Sequence, residues 1–288
     1  MKMVKKILLG LAAAAAVLSL ASCGLKDDDP EGAITGSGSN YKVNYTNPST
    51  KAKDYYRAYN TTSLRHSGAL VKVTFDDPSE CKNSKMGLIF DLKDSVNEKA
   101  AKGARDFFII GIGAEDALYV SKYENIVDIQ GDNFGAKTTG NAAEGEATET
   151  VYIKLANGNC DLTSATNEDG SISLYIYCKA NKEGEYKFAL LAGEPTDSNK
   201  KMKIDDLDLD NLPSGVTKLD LPNAESNSGC TVSTNEVGTI ANAVAVVTSD
   251  SQIAQNKLAV YAMIDASATL TGSWKFCGTY HEAEEIEE

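Results

Sequence analysis

Thirteen tyrosines against a single tryptophan are the residues of this chain best suited to hold a ligand. Tyr55, Arg57 and Tyr59 share one face if their segment is a strand. Tyr175 and Tyr177 lie opposite Ile172, Leu174 and Ile176, and Tyr119 and Tyr123 lie opposite Leu118 and Val120. A tyrosine presents a flat apolar body and a polar tip. An exposed row of such rings can stack on the C–H faces of sugars while nearby amides and acids take the hydroxyls. The structural alternative is plain: Tyr favours the half-buried surface of a pleated sheet. Trp274 shares a face with Phe276 and is expected in the core.

Other chemistry is sparse. Asp206-x-Asp208-x-Asp210-Asn211 has the opening spacing of a calcium loop, but an EF-hand would place Gly at Asn211 and a bidentate Glu at Thr217. An acidic edge strand that resists pairing is the better reading of Asp206, Asp208 and Asp210, with a looser Ca²⁺ site at a sheet edge as the alternative. Otherwise no cofactor or metal is expected. Gly131 to Thr138 resembles a phosphate loop, yet Ala136 stands where a Walker A needs Gly before its Lys. There is no Gly-x-Ser-x-Gly elbow. His66 has no nucleophile motif beside it. No catalytic residue is assigned, and the chain is not expected to be an enzyme.

Besides Cys23 there are five cysteines: Cys81, Cys160, Cys178, Cys230 and Cys277. Outside the cytoplasm these can pair. The expected bridges are Cys160–Cys178 across neighbouring strands and Cys230–Cys277, with one thiol left over. No Cys-x-x-Cys occurs, and there are only two histidines, which speaks against a structural zinc site.

The elements that must position these residues are short and alternate with period two. Ala69–Phe75, Met86–Leu92, Leu118–Tyr123, Val151–Leu155, Ile172–Cys178, Tyr186–Leu190, Leu258–Ile264 and Leu270–Cys277 each put apolar residues on one face. That is the pattern of strands with one buried side. Phe107–Ile112 is nearly all apolar and reads as a central strand. The helical candidates are Asn97–Arg105 and Asn235–Ala243, too short to form a layer. Residues 131–150 and 205–228 read as exposed loops. The expected fold class is all-β, an antiparallel β-sandwich or jelly roll spanning residues 41–281. A split near residue 200 is the alternative, and residues 282–288 form an acidic tail.

The first six residues, Met1-Lys2-Met3-Val4-Lys5-Lys6, carry three lysines, and a mostly apolar run follows from Ile7 to Ala21. This is a signal-peptide pattern, too short to cross a bilayer. Leu20-Ala21-Ser22-Cys23 resembles the lipobox of bacterial lipoproteins. The resemblance implies removal of residues 1–22 and lipidation of Cys23, with diacylglyceryl and N-acyl (palmitate-type) chains. It implies a membrane partner reached through that anchor and a place in the cell envelope, at the outer membrane or cell surface rather than the inner membrane. Residues 23–40 read as an acidic, Gly- and Ser-rich tether. Its Lys26-Asp27-Asp28-Asp29 resembles the export signals of surface-exposed lipoproteins, and a simple hydrophilic spacer is the alternative. Loss of the signal takes the formal charge from −13 to −16. Such a chain repels nucleic acid.

Met86-Gly87-Leu88-Ile89-Phe90-Asp91-Leu92, the run ending Ile110-Gly111-Ile112-Gly113, and Leu118-Tyr119-Val120-Ser121-Lys122-Tyr123 resemble the strand series of concanavalin-like and laminin-G-like jelly rolls. The resemblance covers about 40 residues. It implies a lectin-like sandwich with a glycan-binding face. The glycosidases of that family resemble one another in carrying Glu-x-Asp-x-x-Glu on one strand, and this chain lacks the string. The expected function is therefore a lipid-anchored, non-catalytic binding protein with glycan as ligand. The alternatives are an adhesive or structural lipoprotein contacting a surface protein and, further off, a glycoside hydrolase-like enzyme.

Overall fold

The computed structural model describes residues 33–60, 68–92, 105–113, 119–126, 148–155, 162–181, 185–221, 224–226, 230–234, 240–248 and 253–280. Residues 1–22, Cys23 and residues 281–288 lie outside them. In chain order the strands are β1 (Ile34–Ser37), β2 (Asn40–Thr46), β3 (Asp54–Asn60), β4 (Gly68–Phe75), β5 (Lys85–Leu92), β6 (Arg105–Gly113), β7 (Tyr119–Ile126) and β8 (Thr148–Leu155). They continue as β9 (Ile172–Ala180), β10 (Glu185–Ala192), β11 (Thr217–Lys218), β12 (Ala224–Ser226), β13 (Cys230–Thr234), β14 (Ile240–Thr248), β15 (Ile253–Ile264) and β16 (Thr269–Tyr280).

These strands form two antiparallel sheets. Sheet A runs β1-β2-β16-β4-β9-β10-β14-β13, with β11 also on β10; sheet B runs β12-β8-β7-β6-β5-β15-β3. One apolar layer joins them. Sheet A contributes Tyr41, Val43, Val71, Val73, Leu174, Ile176, Phe188, Leu190 and Trp274, and sheet B contributes Tyr56, Met86, Leu88, Phe90, Ile110, Ile112, Val260 and Ala262. The molecule is thus an all-β antiparallel sandwich, and the period-two runs place their apolar faces in its core. Phe107–Ile112 lies in β6, in the middle of sheet B, and Ile109 on one face and Ile110 and Ile112 on the other are buried. Trp274 is fully buried.

Three sequence expectations fail on described residues. The last part of the expected tether is structured: β1 pairs with β2 through Gly38-Ser39. A two-residue hairpin turn with Gly first needs positive φ there, and Gly38 has φ 63°. The helix expected at Asn235–Ala243 is in its described part a strand, because Ile240–Thr248 pairs with both β10 and β13. Sheet partners outweigh the helix propensity of its alanines. The loop expected to lie exposed at 205–228 is packed down. Ile204, Leu207, Val216, Leu219 and Leu221 are buried, and the acidic run forms a 3-10 turn (Ile204–Asp206) and a loop rather than an edge strand. The expected helix at Asn97–Arg105 and loop at 131–150 lie almost wholly outside the described residues.

Candidate functional site

The outer face of sheet A divides into a sealed half and an open half. The sealed half lies under the segment from Gly193 to Leu221. Met202, Ile204, Leu207 and Val216 form a second apolar cluster with Leu70, Tyr175, Tyr177, Ala189 and Leu191 of the sheet. The base of the segment is closed by Thr196 N–H donating to the Ser214 carbonyl at 2.8 Å. Gly193 (φ 84°) and Gly215 (φ 92°) stand back to back there. A Cβ on Gly193 would collide with the Gly215 carbonyl, and one on Gly215 with the Glu194 carbonyl. Only glycine serves both the backbone angle and the close approach.

This arrangement corrects the role expected for two tyrosines. Tyr175 and Tyr177 are 3 % and 4 % exposed, so neither ring offers a stacking face. Burial pushes the Tyr177 phenol up to about 12 and the Tyr175 phenol higher still. Tyr175 instead uses its hydroxyl, which donates to Glu194 Oε1 at 2.6 Å. The same oxygen accepts from Lys72 Nζ at 2.7 Å. Partial burial raises the Glu194 pKa, but the hydrogen bonds from Lys72 and Tyr175 and the charges of Lys72 and Lys275 outweigh it. The carboxyl therefore ionises below its ordinary range and remains charged at neutral pH.

The remaining tyrosine positions belong to sheet B. Register sets Tyr55 opposite Met263, Tyr59 opposite Ala259, Tyr119 opposite Gly111 and Tyr123 opposite Phe107. The side chains of Tyr59, Tyr119 and Tyr123 lie outside the described residues. The row Arg57–Tyr261–Gly87–Gly111 crosses this face. The Tyr261 ring occupies the space above the two glycines: a Cβ on Gly87 would meet its Cε1 at 2.6 Å, and one on Gly111 would collide with its hydroxyl. Tyr261, Ile89, Ile109 and Ala259 are all buried. So are the Tyr55 hydroxyl and the Arg57 Nε.

The cysteine and calcium expectations are corrected too. Cys178 is an unpaired thiol in the core, opposite Ala69 and Phe188, and Cys230 and Cys277 are also unpaired. Four strands separate β13 from β16. At ~4.8 Å per strand their cysteines stand roughly 24 Å apart, against about 4.4–6.8 Å between the Cα atoms of a disulfide. Cys160 lies outside the described residues. Asp206, Asp208 and Asp210 are exposed, and Asp208 Oδ1 accepts the Asp210 N–H at 2.9 Å as a turn cap. Among the described residues no three acid, His or Cys side chains gather to hold a metal.

Comparison with protein-family models, curated proteins and solved structures found no match.

The open half of sheet A is the candidate site. Alternation in β2, β16, β4 and β9 turns Lys42, Asn44, Thr271, Ser273, Lys275, Lys72, Thr74 and Ser173 outward. Lys42, Ser273, Thr74 and Ser173 form one cross-strand row. Its hydroxyls are linked where Thr74 Oγ1 and Ser173 Oγ meet at 2.9 Å. The next row is Asn40, Lys275, Lys72 and Tyr175. Asn167 Nδ2 donates to both Ser171 Oγ and Ser173 Oγ at 2.8 and 3.0 Å and closes one side. The face thus offers ammonium donors, hydroxyls of either sense and one carboxylate, on rigid strands. Alternation within each strand reveals the outward lysines. Their convergence is hidden in the sequence, because it depends on pairing strands centred near residues 42, 72 and 275.

Proposed function

We propose that this chain is a lipid-anchored, non-catalytic glycan-binding protein of the cell envelope. The observation that carries the reading is the open polar strip on β2, β16, β4 and β9. Sugar hydroxyls need donors and acceptors held in a fixed spacing, and a sheet supplies that spacing with little ordering on binding. The Thr74–Ser173 pair and the Lys72–Glu194–Tyr175 chain are held in place before any ligand arrives. The strand series β5–β6–β7, antiparallel neighbours in sheet B, keeps the likeness to lectin-like jelly rolls in view. The lipobox-like Leu20-Ala21-Ser22-Cys23 supports anchoring through Cys23, two or more acyl chains being needed for a stable hold.

Glycan-array binding by the chain from residue 23 carrying Cys23→Ser tests the ligand class. The double variant Thr74→Leu/Ser273→Leu, which keeps strand-compatible residues, should lose array binding by about tenfold or more, a difference of ~1.4 kcal/mol. Its unfolding midpoint should hold. Unchanged binding by the double variant would remove the strip from consideration. Metabolic labelling with palmitate, abolished by Cys23→Ala, tests the anchor.

The adhesive reading rests on one observation: β1 is a short edge strand whose Thr35, Gly36 and Ser37 are exposed. An open edge can pair with another chain. Capture of a surface protein lost on Thr35→Pro, with the array silent, would favour it.

A further inference from the structure

The open strip carries more positive charge than its surroundings explain. The chain has 41 acidic residues against 28 lysines and arginines. Yet register sets Lys275 directly opposite Lys72, and Lys42 opposite Ser273, two residues along β16 from Lys275. On one face of an antiparallel pair, opposite Cβ atoms lie ~4.5–5.5 Å apart and diagonal positions ~7–8 Å. Like charges so placed are destabilising. One carboxylate faces them among the described residues of the strip. Glu194 Oε1 already accepts both the Lys72 ammonium and the Tyr175 hydroxyl. Asp76 stands at the far end, next to Thr271, whose carbonyl its N–H bonds. Lys42 and Lys275 are exposed. A chain with acids in surplus leaves three ammonium groups together on one rigid face, beside a ladder of hydroxyls.

We propose that this face takes an acidic polysaccharide. Its carboxylate or sulfate groups would sit on Lys42 and Lys275, and its hydroxyls on Ser273 and Thr74. The proposal deepens the glycan-binding reading and rests on it. The ammonium groups supply attraction that an extra neutral sugar contact would not, and the attraction weakens with salt. The fixed carboxylate of Glu194 keeps Lys72 in place and leaves the other two lysines to the ligand. A sugar chain fits the strip better than a membrane does. Its outward residues are Lys, Asn, Ser and Thr, with no large apolar side chain to enter the headgroup region. Three strand spacings of ~4.8 Å give it a width of about 14 Å, enough to lie along several sugars.

The test uses the chain from residue 23 with Cys23→Ser, on immobilised polygalacturonate and chondroitin sulfate, neutral dextran and mannan, and vesicles of phosphatidylcholine with phosphatidylglycerol. Saturable binding to an acidic polymer is expected, falling with added sodium chloride. Lys42→Gln/Lys275→Gln should weaken it about tenfold, or ~1.4 kcal/mol, with an unchanged unfolding midpoint. Equal binding to neutral polymers, indifferent to the two lysines, would overturn the acidic class while leaving the glycan reading standing. Binding to the vesicles alone would assign the lysines to lipid headgroups and overturn the proposal. Silence toward every polymer and vesicle, with the chain folded, would overturn both the proposal and the glycan reading.

Discussion

Two halves of one sheet face meet between Leu70 and Lys72 on β4 and between Tyr175 and Ser173 on β9. On one side lie Leu70, Tyr177, Ala189 and Leu191 under a strap of twenty-odd residues bearing Met202, Ile204, Leu207 and Val216. On the other lie Thr74, Ser273 and three lysines, reached by water, with Ser173 buried at the edge beneath Asn167. The same strands serve both, so strand propensity does not explain the difference. What differs is the outward residue at every second position. Apolar and aromatic side chains lose contact with water when the strap lies over them, and about 25 cal/mol per Å² of buried apolar surface favours the cover. Lysines and hydroxyls would be stranded beneath it. Tyr175 stands at the border and serves each side, its ring in the apolar cluster and its hydroxyl on Glu194.

Emptying the strap should break the contrast most strongly. Ile204→Ala is expected to destabilise the chain by about 2–5 kcal/mol in urea titration, the ordinary result of removing a fully buried aliphatic side chain. The glycan binding proposed for the polar half should survive this change as long as the chain is folded. Gly215→Ala acts on the base of the strap. With φ at 92° and a backbone carbonyl in the way, it should lose about 1–3 kcal/mol, and Ser214→Ala beside it much less.

Alkali probes the sealed half without a mutation. Tyr175 and Tyr177 have folded-state pKa values raised above their ordinary 10.0. The folded state therefore holds protons that the unfolded state has released. Stability is fully present below pH 10 and falls as pH rises toward about 12. Absorbance at the phenolate band should rise together with loss of structure. Tyr175→Phe/Tyr177→Phe should leave the phenolate titration near pH 10 unchanged, and a smaller amplitude there would contradict burial of both rings.

Acid probes the border at smaller amplitude. Glu194 has a depressed pKa, so its contribution is present at neutral pH. It fades as pH drops below the ordinary 4.5 and is gone below the folded value. Glu194→Gln should flatten this part of the stability profile, by about 0.2–1 kcal/mol for an ion pair that water reaches. The smallest effect concerns the thiols. Alkylation of the unfolded, unreduced chain should modify Cys178, Cys230 and Cys277 alike. Protection of any of the three would restore a disulfide.

Much of the sandwich was legible locally. Val71-Lys72-Val73-Thr74-Phe75 can place its valines and Phe75 inside only by placing Lys72 and Thr74 outside. The same reasoning holds for Leu174–Cys178 and for Leu270–Phe276. It misjudged Tyr175 and Tyr177 because alternation says which residues leave the core, not whether something else covers them. It misjudged 240–243 because alanines with β-branched neighbours suit either state until a partner strand is present. Leu207, Leu209 and Leu212 in the strap were a readable sign that the segment would not stay in water.

The sequence by itself determined the all-β class, the inward and outward residues of most strands, the acidic balance and the pattern at Cys23, since each follows from composition or from neighbours a few positions away. Tertiary structure alone decided which strands stand side by side. By setting β16 between β2 and β4, it gathered Lys42, Lys72 and Lys275 on one face, kept Cys230 far from Cys277, and laid the 193–221 strap over two tyrosines. These are contacts between residues tens to hundreds of positions apart, fixed by the shared burial of two sheets rather than by any local preference.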